Sequence, residues 1–141
     1  MTRPADPYRS FRFRVELDRV QHGGFARVKG LNRETKVEVY REGGVNDFEH
    51  KLASLTSYGN VTLEHGLADD QLWRWHQEVV DGRIVRSPVT IVLQDESGQD
   101  QWRWIIERAF PVKWNGTDLE ALSTQVLVES VELAHHGFRR G

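Results

Sequence analysis

The sequence predicts a mainly β fold with one α-helix, closed or nearly closed into a β-barrel or a two-sheet sandwich. Three observations carry that prediction. Apolar residues alternate with polar ones in segment after segment, a helical period occurs only once, and Gly- or Pro-containing turns separate the segments. With 141 residues the chain is long enough for a single domain, 1–141, to bury one core without staples. A flexible arm is expected over 1–9, where Pro4 and Pro7 fall.

The first strand is Phe11-Arg12-Phe13-Arg14-Val15-Glu16-Leu17, with Phe11, Phe13, Val15 and Leu17 on one face and the charges on the other. Asp18 to Gly24 reads as a turn closed by Gly23-Gly24, and Phe25 to Val28 resumes extended structure up to Gly30. From Thr35 the next strand sets Val37 and Val39 against Lys36, Glu38 and Tyr40.

A long connection over 41–58 follows. Its eighteen or so residues far exceed the roughly 2–5 of a hairpin loop. Val45, Phe48, Leu52, Leu55 and Tyr58 are spread through it, which is poor composition for a solvated loop. Such a connection either folds back on its own domain or docks onto a neighbouring subunit. If it docks, as the resemblance described below implies, Arg41, Glu42, Gly43, Gly44, Val45, Asn46, Phe48, His50, Lys51, Leu52 and Tyr58 are its interface residues. Phe48 and Leu52 would be its apolar anchors, and Gly43-Gly44 would permit a sharp backbone path.

Asn60 to His65 alternates again, with Val61 and Leu63 opposing Thr62 and Glu64. The period then changes. Asp69 to Gly82 sets Leu72, Trp73, His76, Val79 and Val80 on one helical stripe, with Asp69 or Asp70 as N-cap and Gly82 at the C-terminal turn. Asp70, Arg74, Trp75 and Glu78 form the expected outward face, and Trp73, Trp102 and Trp104 the expected contact between helix and barrel.

Val89 to Leu93 is almost wholly apolar, as for a strand covered on both faces. The turn Asp95-Glu96-Ser97-Gly98 joins it to a strand carrying Trp102, Trp104 and Ile106. Phe110 to Trp114 is expected as a separate short edge strand because Pro111 cannot donate to a ladder, and Asn115-Gly116 turns it. The last strand, Thr124 to Ala134, slips its apolar phase near Glu129-Ser130, as a bulge would.

Composition excludes more than it suggests. A net charge of -2 argues against a general polyanion binder. The absence of cysteine rules out disulfides and thiolate chemistry. No apolar run reaches the ~18–20 residues of a membrane span, and the N-terminus lacks a secretory segment. His135-His136 are adjacent, so on a strand their rings diverge, and His50, His65 and His76 show no ligand spacing. No nucleophile elbow, Walker loop or dinucleotide fingerprint occurs. No catalytic residue, metal or cofactor is expected. Lys36, Glu38, Thr62 and Glu64 carry the polar faces of two strands and suit either an ordinary solvated face or the wall of a wet channel.

Several segments together resemble the tail-tube proteins of contractile phages and phage-like contractile injection systems, related in fold to the tube protein of type VI secretion. They are Asp6-Pro7-Tyr8 with Phe11 to Leu17, Gly24-Phe25-Ala26-Arg27-Val28, Tyr40-Arg41-Glu42-Gly43-Gly44 with Asn46, and His50-Lys51-Leu52. Tyr58 to Leu63, Leu72 to Arg83, Pro111-Val112-Lys113-Trp114 and Leu133-Ala134-His135 continue the match. The resemblance implies a structural, non-enzymatic subunit that self-assembles into stacked hexameric rings inside a sheath. Its partners would be further copies, the sheath protein and the baseplate or spike hub, with protein or DNA cargo passing through the lumen. It also implies assembly in the cytoplasm and residence in a virion tail or an extracellular phage-like particle.

The helix face of Asp70, Arg74, Trp75 and Glu78 would then look toward the sheath. The basic Lys29-Gly30-Leu31-Asn32-Arg33 and the Ser87-Pro88 approach depart from that pattern. They leave a tube-initiator ring between spike and tube as an alternative. A small-ligand-binding barrel that uses exposed aromatic residues is the alternative of a different class.

Overall fold

The computed structural model describes residues 11–40, 50–116 and 126–141, with Val126 described for its backbone alone. Six strands close a barrel: β1 (Phe13–Leu17), β2 (Val20–Lys29), β5 (Val61–Ala68), β8 (Val126–Ala134), β7 (Asp100–Gly116) and β6 (Ser87–Gln94). They pair in that order, and β6 returns to pair with both β1 and β7. A short β9 (Phe138–Arg140) adds to the other edge of β7, while β3 (Arg33–Tyr40) and β4 (His50–Tyr58) form a two-stranded sheet of their own.

Alternation builds the core. Val15, Phe25, Val61, Leu63, Ile91, Ile106, Val131 and Leu133 are fully buried in one cluster, one or two from each barrel strand. The helix α1 (Asp70–Val80) lies across β7 and β2 and adds Leu72 and Trp75 to that cluster. Asp69 caps it as expected. Its Oδ1 accepts the Leu72 amide at 3.1 Å, and its Oδ2 lies 2.6 Å from Nδ1 of the buried His22 on β2. One side chain thus starts the helix and fixes it to the barrel.

Four expectations need correction. The turn drawn over Asp18 to Gly24 is only two residues, Asp18 and Arg19, both at positive φ, as in the tight turns that match strand twist. Gly23 and Gly24 lie inside β2, and at Gly23 the Phe25 ring occupies the space that a side chain would need. A Cβ on Gly23 would stand 2.9 Å from Cε2 of Phe25.

The segment Phe110 to Trp114 is not a separate strand. It continues β7, which bends at Arg108 (φ +51) and carries Pro111 at a register shift against β8. Proline is tolerated there because a bulge already interrupts the ladder.

The second half of the long connection, 50–58, is strand rather than loop. The helical stripe consists of Leu72, Trp75, His76 and Val79, at i, i+3, i+4 and i+7. Trp73 and Val80 are exposed, and Trp75 does not face outward: it is 8% exposed and its indole N–H donates to the Val85 carbonyl at 2.7 Å.

The bulge near Glu129-Ser130 is present. Asn115 pairs with Ser130 and Gly116 with Val128, which leaves Glu129 without an opposite residue.

Candidate assembly interface

The β3–β4 ribbon leaves the barrel at a tightly packed root. Gly30 holds φ +86, and a Cβ there would stand 1.9 Å from the Asn60 carbonyl oxygen, so only glycine lets the two chain segments approach this closely. The Gly59 amide donates to the Asn32 carbonyl at 3.3 Å, closing the root.

Tyr58, selected from sequence for a subunit interface, packs its ring against its own domain. Its ring meets Phe138 at 5.4 Å and His135 at 5.9 Å, both edge-on. Nε2 of His135 donates to the Gly59 carbonyl at 2.7 Å while its Nδ1 accepts the Gly137 amide at 2.9 Å. These two bonds together fix the tautomer. The ribbon is therefore clamped at its base.

Past the root, every residue of β3 is exposed, and so is all of β4 between its end residues. Cross-strand pairing puts Val37, Ala53 and Val39 on one face, with Val37 and Val39 more than half exposed. Glu38 opposite Leu52 and Tyr40 opposite His50 lie on the other. A register shift near Thr35 turns Leu55 outward to 78% exposure, the most exposed large apolar side chain of the described residues.

Such a ribbon buries nothing of its own, and isolated two-stranded ribbons are marginal in water. Of the sequence-selected interface residues, His50, Lys51 and Leu52 lie on this ribbon. Arg41, Glu42, Gly43, Gly44, Val45, Asn46 and Phe48 lie outside the described residues.

A second surface is the outer face of β2, β5, β8 and β7. Register aligns Arg27 with Glu64, Lys29 with Thr62, Thr62 with Glu132, Glu64 with Ser130, and Glu132 with Lys113. The Asn115 amide donates to the Ser130 hydroxyl at 2.8 Å across the same face. The result is a polar face of both charge signs, with Val61, Leu63, Val131 and Leu133 turned inward while Leu127 on β8 and Val112 on β7 stay exposed.

Glu64 sits in the middle. Lys29 Nζ lies 3.0 Å and Arg27 Nε 4.0 Å from its carboxylate. The Lys29 hydrogen bond, aided by the charges of Lys29, Arg27 and His65, holds that carboxyl below its ordinary range. The four sequence-selected polar residues divide between two sheets. Thr62 and Glu64 lie on this face, whereas Lys36 and Glu38 are on the ribbon, where Glu38 accepts from the Ser54 hydroxyl at 3.5 Å. Ser130, Glu132, Lys113 and Asn115 were missed because the bulges in β7 and β8 break the alternation that would reveal them.

On the helix, Asp70 and Arg74 pair at 2.6 Å and both stay exposed, as does Glu78, while the buried Trp75 drops out of this surface. The aromatic contact expected between helix and barrel is made by different partners. Trp73 meets Trp114 edge-on at 5.1 Å and His76 stacks on it at 6.4 Å, whereas Trp102 and Trp104 pair with each other elsewhere, at 5.8 Å. Among the described residues no three His, Cys, Asp or Glu side chains converge as a metal site would require, and no helix is long and apolar enough to cross a membrane.

Comparison with known proteins gives these surfaces a context. The family model described as T4-like virus tail tube protein gp19 matches residues 9–139. A search of curated proteins returns no match. Among solved structures, a chain of the anti-feeding prophage baseplate is 27% identical with a TM-score of 0.67, over 100% of this chain and 97% of that one. A chain of the sheath-tube complex of an extracellular contractile injection system is 22% identical with a TM-score of 0.68, over 98% and 91%. Hcp1 from Flavobacterium johnsoniae shares the fold at 12% identity and a TM-score of 0.50, over 93% and 95%.

Proposed function

The chain belongs to the T4-like virus tail tube protein family, and from that premise we propose that it is a structural subunit of the inner tube of a contractile tail or injection system. Copies join as hexameric rings that stack into a hollow conduit, with a sheath outside and a baseplate at one end. The role needs no catalytic group. The finished particle is a phage tail or an extracellular phage-like device, assembled in the cytoplasm.

The exposed β3–β4 ribbon is the observation that carries this reading. Val37, Val39, Leu52 and Leu55 stand in water on an element clamped only at its root. Burying a side chain of this kind stabilises by roughly 1.5–3 kcal/mol, so docking on a neighbouring copy recovers what the monomer leaves unused. The polar face centred on Glu64 then lines the lumen, where mixed charge keeps the wall wet. The helix face of Asp70, Arg74 and Glu78 turns toward the sheath.

A second reading places the chain in the ring next to the baseplate. The 27% identity to a chain of the anti-feeding prophage baseplate supports it.

The cysteine-free sequence makes the test direct. Thr62→Cys on the proposed lumen wall and Arg74→Cys on the helix are each assembled and then labelled. Thr62→Cys should react with a small maleimide and resist one carrying a large polymer, while Arg74→Cys should accept both in tubes without sheath. Equal reaction of Thr62→Cys with both reagents in intact tubes would remove it from the lumen.

A further inference from the structure

A groove of about 480 Å³ lies apart from the ribbon tip, the polar face and the helix. Arg33, Trp102, Trp104, Phe138 and Arg140 line it, at the junction of β2 with β3 and along β9. The Arg140 guanidinium lies 3.5 Å from the centre of the Trp102 ring, and that of Arg33 lies 5.8 Å from the centre of Phe138. Among the described residues neither guanidinium has a carboxylate partner. Arg139, by contrast, is paired with Glu107 at 2.9 Å, and Arg103 lies 3.4 Å from Asp100.

Stacking occupies the face of a guanidinium and leaves its N–H edge open. That edge is a rigid fork which fits a carboxylate in a bidentate manner, and the stacking holds it in place before any ligand arrives. Arg140 is held in this way, while Arg33, 5.8 Å from the centre of Phe138, supplies a second guanidinium to the same groove floored by indole rings. Strand β9 is the last of its sheet, so an edge without a strand partner among the described residues runs alongside. Extended peptides add to such edges through main-chain hydrogen bonds.

We propose that this groove is a docking site for an extended acidic segment of a partner protein, whose carboxylates take the open edges of Arg33 and Arg140 while its backbone follows β9. A nucleic acid is the weaker fit. Among the described residues lining the groove, only Arg33 and Arg140 are cations without a carboxylate partner, and the chain carries a net charge of -2.

The test is fluorescence anisotropy of a fluorescein-labelled octapeptide of alternating Glu and Asp, titrated with the full-length protein at low salt. Saturable binding is expected, weakened at least tenfold by either Arg33→Glu or Arg140→Glu. Arg74→Glu, which makes the same change in net charge on the distant helix, should leave it within twofold. Arg140→Lys keeps the charge but loses the planar fork, and should weaken binding severalfold with an unchanged circular dichroism spectrum. That variant separates recognition from folding.

No saturable binding, or equal losses in Arg74→Glu and Arg140→Glu, would overturn the proposal. So would tighter binding of an oligothymidine probe with the same arginine dependence. If Arg140→Glu instead alters the sedimentation of the protein alone, the groove is filled by a second copy and the proposal fails. None of these outcomes depends on the tube reading.

Discussion

Gly30 and Asn60 approach so closely that a Cβ on Gly30 would stand 1.9 Å from the Asn60 carbonyl oxygen. This contact is where the exposed ribbon leaves a closed barrel. It also lets the local cost of the junction be measured. Gly30→Ala imposes a left-handed conformation on a residue with a side chain and drives its Cβ into backbone that cannot swing away. Destabilisation of at least about 2 kcal/mol is expected, by urea unfolding followed through tryptophan fluorescence. Stability equal to the parent would show that the root relaxes freely and does not fix the ribbon.

Beyond the root, stability and assembly should separate. Leu55 is 78% exposed and Leu52 about half exposed, so Leu52→Glu with Leu55→Glu should change the stability of the monomer by less than about 0.5 kcal/mol. The same pair should abolish ring formation, because two buried charges without partners oppose docking. Size-exclusion chromatography with light scattering reads assembly, and thermal melting reads the monomer. A large drop in melting temperature with assembly intact would assign the ribbon to its own core.

Asp69 has two tasks, accepting the Leu72 amide and holding His22 at 2.6 Å. Asp69→Ala should cost about 2–3 kcal/mol in urea unfolding, since the cap is lost and a buried imidazole loses its partner. Asp69→Asn keeps a capping oxygen and should cost less. Equal losses in the two variants would show that the charge, not the cap, is what matters.

The Glu64 carboxyl is held below its ordinary value of 4.5, first by the Lys29 hydrogen bond. A depressed folded-state value means its contribution is complete above the unfolded value and fades as pH falls through the folded one. Melting temperature should therefore fall more steeply on acidification below about pH 4.5 in the parent than in Glu64→Gln. Parallel curves would show that the pair with Lys29 contributes nothing to stability, as many exposed ion pairs do.

Where alternation was regular, the sequence was legible. The paired inward residues of β1 and β5, the helix with its Asp69 cap and the Glu129 bulge all follow from period and capping chemistry. It misled where a long-range contact overrode a local signal. Gly23-Gly24 looks like a turn but lies within β2, where Gly23 makes room for Phe25, and Pro111 looks like a strand break but sits at a bulge. Trp73 and Trp75 are separated by two positions and compete for one stripe. Trp75 completes the stripe with Leu72, His76 and Val79, and its indole N–H finds the Val85 carbonyl, ten residues along. The packing of Tyr58 on His135 and Phe138 is not legible in sequence, because these partners lie about eighty residues away and no local pattern points to them. The polar face was half legible, since Thr62 and Glu64 alternate cleanly while Lys113 and Glu132 meet only through a register shift.

The central claim is that copies of this chain build a ring through the ribbon. Negative-stain electron microscopy of the purified protein over a range of concentrations, beside the Leu52→Glu and Leu55→Glu double variant, tests it most directly. The account predicts rings with a central hole, stacking into tubes as concentration rises, and folded monomers alone for the variant. Compact monomers of the parent at every concentration, or rings that persist in the variant, would contradict it.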